Sequence, residues 1–221
     1  MPARSSAPAE AAADFHTYTF NLARGNREYK EKPGHHAALI DHLKSYVSFS
    51  RPWVVSTQES CRLHMEILVR ELVRIGVRDY TWNHTGSVIY PRPPGMNTNA
   101  CSRWNEPPDP RLGNPEGHWG NYGNGIVSIG GHLESLYEFL RPHDGRENRN
   151  IVCLLMQNFG FRHLACSTHI TNPGRAGPAV TRDQAINAHA VRVLHEAARN
   201  ARPIVGGDFN LWCEEPPIVP C

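Results

Sequence analysis

Ile204-Val205-Gly206-Gly207-Asp208-Phe209-Asn210 is the stretch from which the fold reads. Its apolar start reads as a short buried strand. Gly206 and Gly207 let the backbone turn sharply or lie close to a ligand. If the chain stays extended, Asp208 and Asn210 project to one side and Phe209 projects into the core. A carboxylate and an amide then sit at the C-terminal end of a strand, where open α/β sheets carry their ligand sites. The same residues also suit a Gly-Gly-Asp turn with no chemistry, so the rest of the chain must decide.

Working outward, residues 182–200 form a helix with Ile186, His189, Val193, Leu194 and Ala197 on its inner side. Before it, residues 171–180 are a Gly- and Pro-rich loop. The runs 151–156 and 161–168 read as a hairpin about Phe159-Gly160. Residues 133–140 fit a short helix or a paired strand, and 125–129 a strand. From Trp82 to Tyr122 the composition turns to Pro, Gly, Asn and Trp. This reads as a long inserted loop, with Val88-Ile89-Tyr90 as a possible strand. Cys61, Met65, Leu68, Leu72 and Ile75 mark a helix ended by Gly76, preceded by a strand over 51–57. His36, Ile40, Leu43 and Val47 mark another helix, and residues 15–21, rich in aromatic and β-branched types, the first strand. Short strands alternating with helices, plus a hairpin, indicate an α/β domain with mixed sheets.

The 221 residues suffice for one large domain, and 40% hydrophobic content supports a sizeable core. A net charge of +2 neither marks a nucleic-acid protein nor excludes one. No apolar run reaches membrane-spanning length, so no stable membrane insertion is expected. Composition leaves the oligomeric state open. Residues 1–14, rich in Ala, Pro and Ser, read as a disordered segment before a domain over 15–221. There is no Gly-x-Ser-x-Gly elbow for an acyl hydrolase, no Gly-Lys-Ser/Thr phosphate loop and no Cys-x-x-Cys pair for structural zinc.

Four strands end on polar residues: Asn21, Glu59, His169 and the Asp208/Asn210 pair. Each has a plain explanation alone, as a turn cap, a helix-start carboxylate or a surface histidine. Together at one sheet edge they would make a phosphate site. A carboxylate and an amide oxygen are hard ligands suited to Mg²⁺ (or Mn²⁺), which keeps waters and shares itself with phosphate oxygens. His169 can donate to a phosphate oxygen, Asn210 can hold the phosphate by its amide, and Asp208 can orient an attacking water.

Thr19-Phe20-Asn21-Leu22, Gln58-Glu59, Tyr122-Gly123-Asn124-Gly125-Ile126-Val127, Thr168-His169-Ile170 and Gly206-Gly207-Asp208-Phe209-Asn210 occur in the order of the endonuclease/exonuclease/phosphatase superfamily, and the chain resembles it from Phe15 to Asn210. The resemblance implies a four-layer α/β/β/α sandwich with two mixed sheets face to face, as in deoxyribonuclease I-like proteins. It also implies metal-dependent hydrolysis of a phosphoester, with nucleic acid as the leading substrate class. A sphingomyelinase-like or small-phosphoester hydrolase and a non-catalytic remnant are the alternatives. By resemblance Glu59 is the main Mg²⁺ ligand, assisted by Asn21. His169 is the phosphate-side histidine, Asp208 and Asn210 are the Asp-x-Asn pair, and Arg149, with Arg146 as a competitor, contacts phosphate. The family's Ser-Asp-His segment and its last strands have no counterpart after Asn210. The domain is therefore expected to be incomplete at its C-terminus and this chain to hydrolyse phosphodiesters poorly or not at all.

Six cysteines point to an oxidising compartment. With Asn158 facing Phe161 across the hairpin turn, Cys153 faces Cys166 as a non-hydrogen-bonded pair with Cα atoms about 4.5 Å apart. That suits a disulfide, and Cys61–Cys101 is a second candidate pair. A secreted or extracytoplasmic location is expected, although the chain carries no intact signal peptide.

Overall fold

The computed structural model describes residues 16–22, 35–50, 52–86, 122–142, 149–158 and 160–210. The expectations for residues 1–14, Val88–Tyr90, Cys101 and Arg146 lie outside them. Among the described residues, eight strands and four helices follow in the order β1 (Thr17–Asn21), α1 (His35–Ser50), β2 (Val54–Cys61), α2 (Arg62–Arg74), β3 (Tyr80–Gly86), β4 (Tyr122–Ile129), β5 (Gly131–Phe139), β6 (Asn150–Asn158), β7 (Phe161–His169), α3 (Pro173–Ala176), α4 (Pro178–Arg199) and β8 (Arg202–Asp208). One sheet has the order β1-β2-β4-β3 and the other β5-β6-β7-β8. Both are mixed: β1–β2 and β7–β8 are parallel, and the remaining pairs are antiparallel.

Period-two alternation assigns the strand residues to layers. On β6, Ile151, Cys153 and Leu155 face α4 with Leu164, Cys166 and Ala188. Val152, Leu154 and Met156, with Ala165 of β7 beside them, face the other sheet, where they meet Val54 and Ile126. On the first sheet, Val55 and Val127 face α1 and α2, packing with Leu43, Val47, Met65, Leu68 and Leu72. Strands covered on both sides must be apolar throughout, which is why 151–156 shows no polar alternation. The result is the four-layer α/β/β/α sandwich. A side chain at Gly125 would put its Cβ 2.3 Å from Met65 Sδ, so the absence of one lets α2 lie directly on β4.

The hairpin register is the one expected: Asn158 pairs with Phe161 and Cys153 with Cys166. Those cysteines are disulfide-bonded, with Cα atoms 4.1 Å apart, near the expected separation. Cys61 is also disulfide-bonded, and its partner lies outside the described residues.

Several local expectations are corrected. Of the two alternatives for residues 133–140, the paired strand is found and the helix is not: β5 pairs with β6 along its length, with a register shift between His132 and Glu134. Leu133, Leu136 and Leu140 share a helical spacing, but only Leu136 and Leu140 pack into the core, while Leu133, at the register shift, is 45% exposed. The stretch 80–86, mostly read as loop, is an edge strand on β4. Its Tyr80, Thr81, Trp82 and Thr85 have high strand preference, masked by the polar Asn83 and His84. The Gly/Pro loop holds α3 and the start of α4, with a proline in the first turn of each.

The inner face of α4 is also corrected. Ile186 (59% exposed), Val193 (41%) and Leu194 (67%) face solvent, while Thr181, Gln184 and Ala188 are buried. Thr181 Oγ1 donates to the Thr171 carbonyl, Gln184 accepts from Thr171 N–H, and its amide donates to the Pro142 carbonyl. These bonds, with small Ala185 and Ala188 against the sheet, fix the helix rotation against its apolar count. Finally, β8 pairs only with β7 among the described residues, and Val205 is 37% exposed. It is a half-buried strand rather than a buried one. Among the described residues no helix is long and apolar enough to cross a membrane.

Candidate active site

The topology brings the polar strand ends together. β1 and β2 run parallel in one sheet and β7 and β8 in the other, so Asn21, Glu59, His169 and Asp208 arrive at one end of the sandwich. β6 is antiparallel to β7, so Arg149, just before β6, arrives there too. Asn21 Nδ2 donates to Asp208 Oδ2 across the two sheets at 2.8 Å. His169 Nε2 lies 3.8 Å from Asp208 Oδ2 and 3.9 Å from Glu59 Oε1. Arg149 Nη1 donates to His169 Nδ1 at 2.8 Å. A guanidinium has no acceptor, so Nδ1 accepts and the imidazole N–H sits on Nε2, turned toward the two carboxylates.

Asn210 is held by the strand it follows. Its backbone N–H donates to Asp208 Oδ1 at 3.0 Å, and its side-chain amide donates to the Ile170 carbonyl at 2.8 Å. The chain is extended through Asp208 but not at Asn210, where φ is +47°. Phe209 packs against the core between sheet and helix, as expected. Gly206 and Gly207 lie within β8, so the stretch is a strand running into the site and not a Gly-Gly-Asp turn.

Glu59 also has positive φ, +50°. It sits in a register shift between Thr57 and Ser60 where β2 pairs with β4. Left-handed backbone costs a non-glycine residue about 1 kcal/mol or more. Of the three such residues described, Glu59 and Asn210 are both at this site, and Asn200 is the C-cap of α4. Strain concentrated in this way marks positions where side-chain placement overrides backbone comfort. The bulge is pinned from β3: His84 Nε2 donates to the Ser60 carbonyl at 3.1 Å. Burial pushes the His84 imidazole down to about 4, helped by nearby Arg62 and opposed by the Ser60 bond. Its neutral N–H is therefore the donor at ordinary pH.

Beneath the site lies a buried polar layer that sequence reading missed. Gln58 Nε2 donates to Ser56 Oγ (2.8 Å) and to Ser167 Oγ (3.1 Å) on the opposite sheet. Asn124 Nδ2 donates to Asn150 Oδ1 (2.8 Å), which also accepts from Thr85 Oγ1 (3.0 Å). Thr168 Oγ1 donates to the Asn150 carbonyl at 3.0 Å, bracing the residue next to Arg149. Ser56, Gln58, Asn124, Asn150 and Ser167 occupy inward strand positions where alternation calls for apolar residues. That departure was the available signal.

A cleft of about 480 Å³ opens over Asn21, Gln58, Asp208 and Asn210, with Phe20 and Phe209 in its wall. The donor set can be tested against a metal. Among the described residues no three His, Cys, Asp or Glu side chains form a group that could hold a metal ion by themselves. Glu59, with the Asn21 amide oxygen and Asp208 nearby, suits a hard cation that keeps waters and binds through one or two carboxylates plus substrate oxygens.

No family model matches the sequence, and no curated protein matches it by sequence. Solved structures do match. Zebrafish TDP2, in a complex with a single-strand DNA product, superposes with a TM-score of 0.54 at 16% identity over 88% of this chain and 60% of that one. ANGEL2, a 2′,3′-cyclic phosphatase, gives 0.61 at 16% identity over 91% and 54%. An endonuclease/exonuclease/phosphatase family protein from Bacteroides thetaiotaomicron gives 0.61 at 13% identity over 91% and 65%. The chain thus spans about 60% of the length of the first of these. Two mixed four-stranded sheets packed between helices, superposing on these structures, have the fold of the endonuclease/exonuclease/phosphatase superfamily, the deoxyribonuclease I-like sandwich.

Proposed function

We propose that the protein is a metal-dependent phosphoester hydrolase that cleaves phosphodiesters, with nucleic acid as the substrate class, by in-line attack of water. The observation that carries this reading is the convergence of Asn21, His169 and Asp208, from the ends of β1, β7 and β8, with Glu59 from the bulge in β2, His169 Nε2 lying within 4 Å of both carboxylates. The likeness to TDP2 holding a DNA product and to a cyclic phosphatase supports the phosphodiester class.

Glu59 and the Asn21 amide oxygen would hold Mg²⁺ or Mn²⁺. Bound there, the cation would polarise a phosphoryl oxygen and offset charge on the leaving oxygen. The chain's own groups do the rest. His169, its Nδ1 engaged by Arg149, presents Nε2–H to a phosphate oxygen. Asp208, held by Asn21 and by the Asn210 backbone, accepts a hydrogen bond from the attacking water and orients it. The Asn210 amide, anchored on Ile170, has a second N–H for the phosphate.

The test is hydrolysis of bis(p-nitrophenyl) phosphate and of a single-stranded oligonucleotide with Mg²⁺ or Mn²⁺ added or chelated. Turnover should require the cation and fall about 10²-fold or more in Glu59→Gln, the scale on which one transition-state contact acts. Equal rates in the wild type and Glu59→Gln would overturn the reading.

We infer export from the cysteines. The Cys153–Cys166 disulfide is buried between central strands, a structural placement suited to an oxidising compartment. Thiol counting under denaturing conditions without reductant, on protein from such a compartment, should find neither thiol free.

A further inference from the structure

On β8 the residues alternate between the two sides of the second sheet. Ile204, Gly206 and Asp208 face the first sheet, and Gly207 faces away, toward Thr168 and Phe209. The two glycines therefore differ in what they leave room for. A Cβ at Gly207 would fall 2.6 Å from the Thr168 carbonyl oxygen, the backbone of the neighbouring strand, so its absence serves strand pairing. A Cβ at Gly206 would fall 2.7 Å from Ser56 Cβ, 2.8 Å from Ser56 Oγ and 3.1 Å from Thr19 Oγ1, all in the opposite sheet. Ser56 is buried and cannot retreat: its hydroxyl accepts from Gln58, which also reaches Ser167 on β7.

This seam lies directly below the site. Two residues on from Gly206 is Asp208, two residues on from Thr19 is Asn21, and those two side chains share the 2.8 Å bond that joins the sheets at the cleft. We propose that Gly206 is a positioning residue. Having no side chain, it sets the separation of the sheets at Ser56 and Thr19, and that separation lets Asn21 reach Asp208 and brings Asp208 to the cleft. This rests on the hydrolase reading for its effect on rate, but not for its geometry. A Cβ could be admitted only by moving β8 outward by a few tenths of an ångström to an ångström. Asp208 would move with it, and a displacement of about 1 Å at a reacting centre can cost about 10²-fold in rate.

The experiment compares Gly206→Ala, the reciprocal pair Gly206→Ala/Ser56→Gly, and Val152→Ala, a destabilising change in the apolar part of the same interior. Crystal structures give the Asn21–Asp208 separation. Steady-state kinetics give kcat and KM, and Mn²⁺ titration gives affinity. Gly206→Ala should break the Asn21–Asp208 bond, lower kcat by about 10- to 100-fold with little change in KM, and weaken Mn²⁺ binding. The reciprocal pair moves the missing volume to the other sheet and gives up the Ser56–Gln58 bond, while Gln58 keeps Ser167; it should restore the Asn21–Asp208 bond and recover kcat and Mn²⁺ affinity in part. Val152→Ala should lower the melting temperature while leaving all three unchanged. Gly206→Ala that folds with the bond intact overturns the proposal. If Gly206→Ala does not fold, the pair decides alone: recovery of fold and bond supports the proposal, and failure to recover either overturns it. A wild-type protein that hydrolyses nothing would sink the hydrolase reading, yet the Asn21–Asp208 separation would still settle the role of Gly206.

Discussion

Between the two sheets, Val54, Ile126, Val152, Leu154, Met156 and Ala165 meet as an apolar layer. Nearer the cleft, Ser56, Gln58, Asn124, Asn150 and Ser167, from the same strands and equally buried, meet through hydrogen bonds. Apolar burial supplies free energy without direction. A buried polar layer adds little net stability, but each bond fixes an angle, and leaving one unmade is costly. The apolar layer therefore holds the sheets together, and the polar layer determines where the ends of β1, β2, β6 and β7 lie. Oriented groups are found where chemistry needs them, directly under Glu59, His169 and Arg149.

The difference can be broken from either side. The largest effect is expected in the apolar layer. Leu154→Ala should cost about 2–5 kcal/mol of stability in denaturant unfolding, with Mn²⁺ affinity of the folded protein retained. Loss of affinity in step with stability would mean that the two layers are not separable.

Acid comes next, through two histidines outside the apolar layer. His84 and His163 are both held below the ordinary imidazole value by burial, His84 at about 4. The folded state thus binds fewer protons than the unfolded state below pH about 6.5. Stability should be full above that pH and decline as pH falls toward 4, by roughly 1–3 kcal/mol. Melting temperatures that stay level between pH 7 and 4.5 would contradict this.

In the polar layer, Asn124→Ala leaves Asn150 and Thr85 to share a broken network. The expected cost is about 1–3 kcal/mol. Unlike Leu154→Ala, it should lower kcat by displacing the strand that begins beside Arg149. The smallest effect has the opposite sign. Glu59→Gly removes the penalty of positive φ and should raise stability by up to about 1 kcal/mol while abolishing metal binding. A destabilised Glu59→Gly protein would show that the φ of +50° is not strained there.

The same contrast explains what could be read from sequence. Asn21, His169 and Asp208 were legible as polar residues closing strands, and Glu59 as a carboxylate soon after Trp53-Val54-Val55, although it lies within β2 and not at its end. The Cys153–Cys166 pairing followed from the turn at Phe159-Gly160, since register is a counting rule. Gln58 was legible as a residue beside Glu59 but not as a bridge to Ser167, because contacts between sheets leave no periodicity in one strand. Strands β3 and β5, with one neighbour each among the described residues, carry mixed patterns that a loop or a helix also fits. The rotation of α4 was misread because Thr181 and Gln184, anchored by hydrogen bonds to Thr171 and Pro142, outweigh exposed Ile186 and Leu194.

The central claim is that strand ends from two sheets form one cation and phosphate site. The most direct measurement is anomalous diffraction from a crystal soaked in Mn²⁺, with and without a phosphate ester. The account predicts one peak between the Glu59 carboxylate and the Asn21 amide oxygen, absent in Glu59→Gln crystals. A crystal with that end of the sandwich open to solvent and no peak there, or a peak elsewhere that survives Glu59→Gln, would contradict it.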